Sequence, residues 1–157
     1  MSGYKQHTTI HLEPKGLSRN DFRQPDGLTL FPWAGGRSVV WDYTCRDTLA
    51  QSYVIDTASE AGKAAETAEA AKFDRYSDLT SDYTVIPVAN ETLGAWGKIG
   101  LKFIQDIGSR ISDATGDKNS ANHLFQSISM ATQRGNVASI LGTIPSMKKL
   151  DELYLFL

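Results

Sequence analysis

The stretch that decides the fold runs from Arg23 to Thr44 and reads RQPDGLTLFPWAGGRSVVWDYT. Two runs rich in β-branched, aromatic and apolar residues make up most of it, Gly27 to Phe31 and Ser38 to Cys45, the second of which ends one residue beyond the quoted stretch. A proline and two glycines lie between these runs, and such residues are typical of turns. The pattern therefore predicts a β-hairpin made of two paired strands.

The second strand of this hairpin has two faces of different character, because successive side chains of a strand point to opposite sides. Val40, Asp42 and Thr44 lie on one face. The opposite face carries Val39, Trp41, Tyr43 and Cys45. Asp42 is thus a carboxylate in the middle of an otherwise apolar strand.

Pairing the two strands brings Asp42 towards a second carboxylate, that of Asp26. Asp26 opens the first strand directly after Pro25, which a strand tolerates at its start because proline has no N–H to donate. Like charges repel and burial disfavours ionisation, so a buried carboxylate pair usually holds a metal ion or shares a proton. We expect the two carboxylates to lie about 4 to 6 Å apart around one divalent ion, since metal–oxygen bonds are about 2.0 to 2.1 Å.

A second interpretation of the same two aspartates needs no metal. Asp26 would form an Asx turn before Gly27. Asp42 would pair with an arginine such as Arg37 or Arg46. The spacing of the residues leaves both interpretations open.

Composition bounds the class of protein. A chain of 157 residues, 41% of them apolar, is typical of one globular domain, which we place at 1–145 with an amphipathic tail at 146–157. Its single cysteine, Cys45, excludes an intramolecular disulfide and is typical of a reducing compartment. We find no signal peptide and no apolar run of membrane-spanning length, and expect a nuclear or cytoplasmic protein that does not contact membranes.

The remaining periodicities predict an α/β domain, with a mixed, mostly antiparallel sheet of about four strands flanked by helices and with two helices at the carboxyl end. Besides the hairpin, the predicted elements are a strand at Gln6–Glu13, a helix at Ala58–Tyr76, a strand at Asp82–Ala89, a helix from Leu93 and Gly94 through Asp113, and a helix from Ser120 to about Leu141. Pro87 suggests the edge of the sheet or the end of its strand.

Two further charged residues are candidates for the site around Asp26 and Asp42. In the alanine-rich helix, Lys72 lies in line with a stripe of alanines, which would bring its amine to the carboxylate pair. It would equally suit the negative end of the helix dipole. Glu13 closes the first strand and would supply a third acid for a metal ion, or else a surface salt bridge.

The spacing of the two aspartates resembles that of a known nuclease superfamily. "PDG" and "WDYT", with fifteen residues between the aspartates, resemble the Pro-Asp…Asp core of the PD-(D/E)XK nucleases, and more narrowly the restriction-enzyme-like endonuclease domain of site-specific non-LTR retrotransposons. Four other stretches are similar to carboxyl-terminal segments of retrotransposon-derived reverse-transcriptase proteins of animals. They are EPKGLSR at Glu13–Arg19, KFDRY at Lys72–Tyr76, PVANETLG at Pro87–Gly94 and LFQSIS at Leu124–Ser129.

The resemblance implies a restriction-endonuclease-like core and a DNA endonuclease that uses Mg²⁺ or Mn²⁺. Asp26 and Asp42 would be the metal ligands, with the main-chain carbonyl of Tyr43 as a further one, and Lys72 would be the catalytic lysine. In the family's KxxKY motif, Arg75 replaces the second lysine. The residues expected to contact nucleic acid are Arg19, Arg23, Arg75 and Tyr76.

The sequence also departs from the family's pattern. Thr44 stands where the family has the lysine of (D/E)XK, the helix that opens the core would precede Gln6, and neither a reverse transcriptase nor a zinc knuckle accompanies the domain. The net charge of −2 predicts weak DNA binding by the chain alone, with further affinity from the reverse-transcriptase part of a parent polyprotein. Two other hypotheses therefore stay open: an inactive remnant that serves as a binding or assembly module, and an unrelated small-molecule binder.

Overall fold

A computed structural model describes residues 10–14, 17 and 24–143, and these form a mixed α/β architecture. The strands are β1 (Ile10–Leu12), β2 (Gly27–Thr29), β3 (Val39–Arg46) and β4 (Thr84–Glu91). The helices are α1 (Val54–Ser59), α2 (Lys63–Arg75), α3 (Lys98–Thr115) and α4 (Ser120–Gly142), with a 3-10 turn at Ser77–Leu79. Within the described residues, no helix is both long enough and apolar enough to cross a membrane.

The sheet is mixed, and its strands lie in the order β1-β2-β3-β4. β1 pairs with β2 and β2 pairs with β3 in antiparallel fashion, so the first strand lies beside the hairpin as predicted. The longest pairing is parallel, however, and joins β3 to β4 from Val39↔Thr84 to Arg46↔Glu91. A parallel pair needs a crossover connection, which α1 and α2 supply by returning the chain to the end of the sheet where β3 begins.

Helices cover both faces of β3 and β4. On one face, Ala65 and Ala68 of α2 pack against Ala89 of β4. On the other face, Phe103 of α3 packs against two strand residues, Val39 and Val88. Partly buried side chains around this second cluster are Trp33, Trp41, Ile86, Trp96 and Ile107. The alternation predicted for β3 is confirmed, because its odd-numbered apolar residues face α3 and Asp42 faces α2.

The prediction of one continuous helix from Ala58 to Tyr76 is wrong in its first turn. The chain forms α1 up to Ser59, interrupts it at Glu60 in an extended conformation, and begins α2 only at Lys63. Gly62 causes the interruption, since its φ of 89° lies in the left-handed region. A Cβ atom at this position would also approach the carbonyl oxygen of Trp96 to 2.6 Å, so glycine is required here.

β4 is as long as predicted but lies two residues later in the chain, and its proline lies inside it. The strand continues past Ala89 to Glu91, and Pro87 pairs with Asp42. In the described sheet β4 is the edge strand, where a residue without an N–H costs no ladder hydrogen bond. The expectation of an edge position is therefore confirmed.

The inward face of α3 contains two glycines. Its buried positions are Gly100, Phe103, Ile104 and Gly108, whereas Ile99 and Ile111 are exposed. Glycines set this face because they permit close approach. A Cβ atom at Gly100 would lie 3.1 Å from the backbone nitrogen of Ala89, and one at Gly108 would lie 2.8 Å from the side chain of Ala121.

Candidate functional site

The register of β2 and β3 brings Asp26 and Asp42 to neighbouring positions. Gly27 pairs with Trp41, so the next position outward on each strand is an aspartate. The Asp26 carboxylate accepts a hydrogen bond of 2.6 Å from the backbone N–H of Tyr43, the residue after Asp42. Asp26 therefore uses its side chain to bridge to β3, and not to form the alternative Asx turn before Gly27.

Lys72 of α2 completes a cluster of three charges. Its ammonium group donates a short hydrogen bond to Oδ2 of Asp42, and both residues are only 8% exposed. The predicted direction of Lys72 is thus confirmed, whereas its catalytic role stays a prediction. The alternative partner Arg37 is engaged elsewhere, since its guanidinium donates to the carbonyl oxygen of Thr80.

Burial and the like charge of Asp26 both raise the pKa of Asp42. Burial raises the pKa of its carboxyl group above that of a free aspartic acid, the hydrogen bond and charge of Lys72 oppose this rise, and the negative charge of Asp26 adds to it. The positive charge of Arg75 also lowers this pKa, so burial is the main reason that it stays raised. Two acidic side chains thus lie with two basic ones, Lys72 and Arg75.

Arg75 and Tyr76, both predicted to contact nucleic acid, lie at the end of α2 beside the same carboxylates. Burial raises the pKa of the Tyr76 hydroxyl, and the charge of Asp42 raises it further. The positive charge of Arg75 lowers this pKa again. The Tyr76 residue is 2% exposed, so its ring offers almost no surface on which a base could stack.

Of the remaining predicted site residues, the structure describes only Glu13. Glu13 donates its backbone N–H to the carbonyl oxygen of Asp26 at 2.9 Å, but its side chain is exposed. Its φ of 48° ends the strand alternation on which its prediction as a ligand relied. The described residues contain no group of three or more histidine, cysteine or acidic side chains that could hold a metal, and a third ligand at Glu13 stays a prediction. Arg19 and Arg23 lie outside the described residues.

Two aspartates suffice for one class of metal site. Mg²⁺ usually keeps several water molecules and binds proteins through one or two carboxylates together with substrate phosphates. Asp26 and Asp42 supply these two carboxylates from neighbouring positions of adjacent strands. The donor set therefore fits Mg²⁺ or Mn²⁺.

Two buried glutamates were missed by sequence reasoning. Glu69 is 2% exposed and accepts the backbone N–H groups of Gly100 at 2.7 Å and Ile99 at 3.0 Å at the start of α3. Glu91 is 1% exposed and accepts the N–H of Ala64 at 3.0 Å at the start of α2. Both carboxylates satisfy helix N-termini, where negative charge is favoured. Helical spacing could have predicted that Glu69 faces inward, because it lies three residues before Lys72 and four after the inward-facing Ala65.

Comparisons of the chain with protein-family models, with curated proteins and with solved structures found no match.

Proposed function

We propose that this chain is a divalent-metal-dependent DNA endonuclease domain derived from a non-LTR retrotransposon. The observation that carries the proposal is the cluster of Asp26, Asp42 and Lys72, which come from β2, β3 and α2. These are the three residues to which the resemblance assigns catalysis. The first and the last of them are 46 positions apart in the sequence, at 26 and 72. If the resemblance of these short motifs were due to chance, there would be no reason for the three residues to lie together in the fold.

The order of the secondary structure supports the same proposal. Three strands paired in antiparallel fashion are followed by the crossover through α2 and by β4, which is parallel to β3. This order agrees with the restriction-endonuclease-like core that the resemblance implies.

Each residue of the cluster has a role that its contacts support. Asp26 and Asp42 would hold Mg²⁺ or Mn²⁺, whose chemistry in such a site is the activation of water and the stabilisation of the leaving oxygen of a phosphodiester. Lys72 keeps the Asp42 carboxylate in place through its hydrogen bond. Its ammonium has three protons, so it retains donors that can orient a water molecule. This role compensates for Thr44, which has no charge at the usual lysine position.

DNA is the proposed substrate, and binding by the chain alone would be weak. The chain carries 16 basic and 18 acidic side chains, so it offers few groups to neutralise phosphates. Arg75 lies beside the carboxylate cluster and is the basic residue best placed to meet a phosphate bound there. A reverse-transcriptase part of a parent polyprotein would supply the affinity and the target recognition.

A specific observation favours a second function, that of an inactive remnant that binds a partner or supports an assembly. Lys72 already neutralises one oxygen of Asp42, and the Tyr43 N–H already occupies one oxygen of Asp26. A cluster satisfied in this way would need no metal ion and would support no turnover. The two functions differ in whether the cluster responds to a divalent ion.

The experiment is plasmid nicking at low salt with Mg²⁺ or Mn²⁺, with EDTA as the metal-free reaction. We expect slow nicking with little sequence preference, which falls steeply as salt rises because the few phosphate contacts depend on counterion release. Asp26→Asn and Asp42→Asn keep the shape of the side chain and a hydrogen-bond acceptor. Each should lower the nicking rate by at least about 100-fold, since losing even an outer-shell partner of a metal costs about 10- to 100-fold.

Asp113→Asn is the matched control, because Asp113 is an exposed acid on α3, away from the cluster. It should nick as fast as the unaltered protein. Nicking that survives EDTA or the Asp42→Asn change would contradict the proposal. Absence of nicking by the unaltered protein, with the fold intact by circular dichroism, would favour the inactive remnant.

A further inference from the structure

A cavity of about 650 Å³ lies on the face of β3 that is turned away from Asp42. Tyr43 and Cys45 of β3 and Val88 of β4 form its floor, while α4 forms the opposite wall through residues such as Ile128 and Thr132. Ligand sites in proteins commonly measure about 300 to 1,000 Å³ and are mainly apolar. The cavity therefore has the size of a small-molecule site, separated by the sheet from the carboxylate cluster.

Hydrogen bonds hold the walls of this cavity together. The Tyr43 hydroxyl donates to the Asn90 side chain at 2.8 Å, and the Asn90 amide donates to the Thr132 hydroxyl at 3.1 Å. At the rim, the amide groups of Gln133 and Asn136 both donate to the carbonyl oxygen of Thr92. These bonds join β3, β4 and α4, so the cavity is preformed and a ligand would not need to reorganise it.

The chemistry of the lining restricts the ligand. The lining is mainly apolar and includes Trp96, Ile104 and Ile128. Among the described residues that line the cavity, Asp47, which is exposed just beyond β3, is the charged one, and none is lysine, arginine or histidine. Such a site suits an aromatic ring that stacks near Trp96 and a positive charge near Asp47, and it disfavours anions.

We propose that this cavity binds a small organic cation with an aromatic ring, such as an arylalkyl amine. Its ring occupies the apolar part between β4 and α4, and its ammonium group lies at the mouth beside Asp47. Nucleic acid is not a candidate ligand here, because a phosphate would meet the Asp47 carboxylate and no basic side chain of the lining. This site is independent of the proposed nuclease function.

Gly135 gives a direct way to close the cavity. It lies in the middle of α4, where glycine costs about 1 kcal/mol relative to alanine. It lines the cavity, and a Cβ atom built on it would meet no other atom within 4 Å. Gly135→Leu would therefore place a side chain in the open space without a clash at its first atom, and would raise the helix propensity of α4.

The test uses two probes that share a ring and differ in charge, 2-naphthylmethylamine and 2-naphthoate. Binding to the full chain is followed by isothermal titration and by the change in tryptophan fluorescence. We expect saturable, one-to-one binding of the amine, and an affinity for the carboxylate that is lower by about tenfold or more, since about 1.4 kcal/mol corresponds to tenfold. Asp47→Asn should weaken binding of the amine and strengthen that of the carboxylate, because it removes an attraction for the one and a repulsion for the other.

Gly135→Leu should abolish binding of the amine. Its matched control is Ser129→Leu, which adds the same side chain to an exposed position of α4 outside the lining. Ser129→Leu should bind like the unaltered protein, and if Gly135→Leu unfolds, Gly135→Ala should still weaken binding. Non-saturable binding, equal affinity for the two probes, or unchanged binding by Gly135→Leu overturns the proposal. So does dimerisation in solution that Gly135→Leu removes, because a second copy of the chain would then occupy this face.

Discussion

The two faces of β3 bury opposite kinds of groups. On the α2 face, Asp42 is 8% exposed and bonded to Lys72, with Asp26 beside it. On the α3 face, Val39 packs with Val88 and Phe103, and the tryptophans surround them. Burying the apolar groups stabilises the fold by about 25 cal/mol for each square ångström removed from water, whereas burying the ion pair carries a desolvation cost that its attraction only partly offsets.

The two faces of β3 therefore have different roles, one in the stability of the fold and the other in the proposed chemistry. Well-packed apolar residues in place of a buried ion pair are often neutral or stabilising. A fold selected for stability alone would thus gain nothing from Asp42 and Lys72 at this position. The α3 face is where the stability of β3 comes from, and the α2 face is where we place its chemistry.

The largest effect is expected on the apolar face. Phe103→Ala should lower the free energy of unfolding by about 3 to 5 kcal/mol, because it leaves a cavity among Val39, Val88 and the tryptophans. Urea unfolding followed by tryptophan fluorescence measures this change. The loss should be the same at low and high salt, and a salt-dependent loss would contradict the apolar character of this face.

An effect of similar size but different origin is expected on the charged face. Lys72→Ala should cost about 3 to 5 kcal/mol, because it leaves the Asp42 carboxylate buried without its partner. The double variant that adds Asp42→Ala should recover part of this loss, since no unpaired charge then remains. Lys102→Ala, at an exposed position of α3, is the control and should change stability by less than about 0.5 kcal/mol. Additive losses in the double variant would show that Lys72 and Asp42 are not coupled.

A smaller effect is expected at Glu69, which links α2 to α3. Glu69→Gln replaces one acceptor oxygen by an amide group and leaves the N–H of Ile99 or Gly100 unsatisfied, at a cost of about 1 to 3 kcal/mol. Burial raises the pKa of Glu69 in the folded state. The folded state therefore binds the proton more tightly than the unfolded state.

The raised pKa of Glu69 determines how the difference in stability between the unaltered protein and Glu69→Gln changes with pH. The stabilisation due to protonated Glu69 is complete below its unfolded pKa of about 4.3 and is lost as pH rises through the higher folded pKa. Glutamine does not titrate, so the stability gap between the two proteins should narrow as pH rises from about 4 through the folded pKa. Urea unfolding at a series of pH values measures the gap, and a gap that widens in this range would contradict the raised pKa.

The smallest effect is expected at Tyr43. Its backbone N–H binds Asp26 of the carboxylate cluster, whereas its side chain binds Asn90 on the opposite face of β3. Tyr43→Phe removes the hydrogen bond to Asn90 and should cost about 1 kcal/mol. The backbone N–H that binds Asp26 is unchanged, so the nicking rate should not change. Stability by urea unfolding and plasmid nicking, measured on the same preparation, test this separation. A large loss of nicking would show that the two faces are coupled through β3.

Local patterns were sufficient for the parts of the fold that depend on alternation and spacing. The two faces of β3 and the direction of Lys72 follow from the periods of a strand and a helix. The parallel pairing of β3 with β4 was not predicted, because it depends on how the chain crosses over between two strands far apart in sequence. The inward face of α3 was also not predicted. Gly100 and Gly108 determine it because they allow close approach of neighbouring elements, and glycines do not contribute to a pattern of apolar residues.

The candidate site shows the same division. The carboxylate pair was predicted because adjacent strands fix which residues face each other. The strand alternation on which the prediction for Glu13 relied stops at the left-handed backbone of that residue, which a sequence pattern does not reveal. The buried Glu69 and Glu91 were missed because their partners are backbone N–H groups of helices that are distant in sequence.

The most direct test of the central claim, a metal site on the α2 face of β3, is selective broadening of amide signals by Mn²⁺ in NMR spectra of the intact chain. We predict that sub-stoichiometric Mn²⁺ broadens the amides of Gly27 and Tyr43, which flank the two aspartates, and spares the amide of Thr132 on the opposite face. Asp26→Asn should abolish this broadening, and Asp113→Asn should preserve it. Broadening that is absent, that is uniform over both faces, or that persists in Asp26→Asn would contradict the claim.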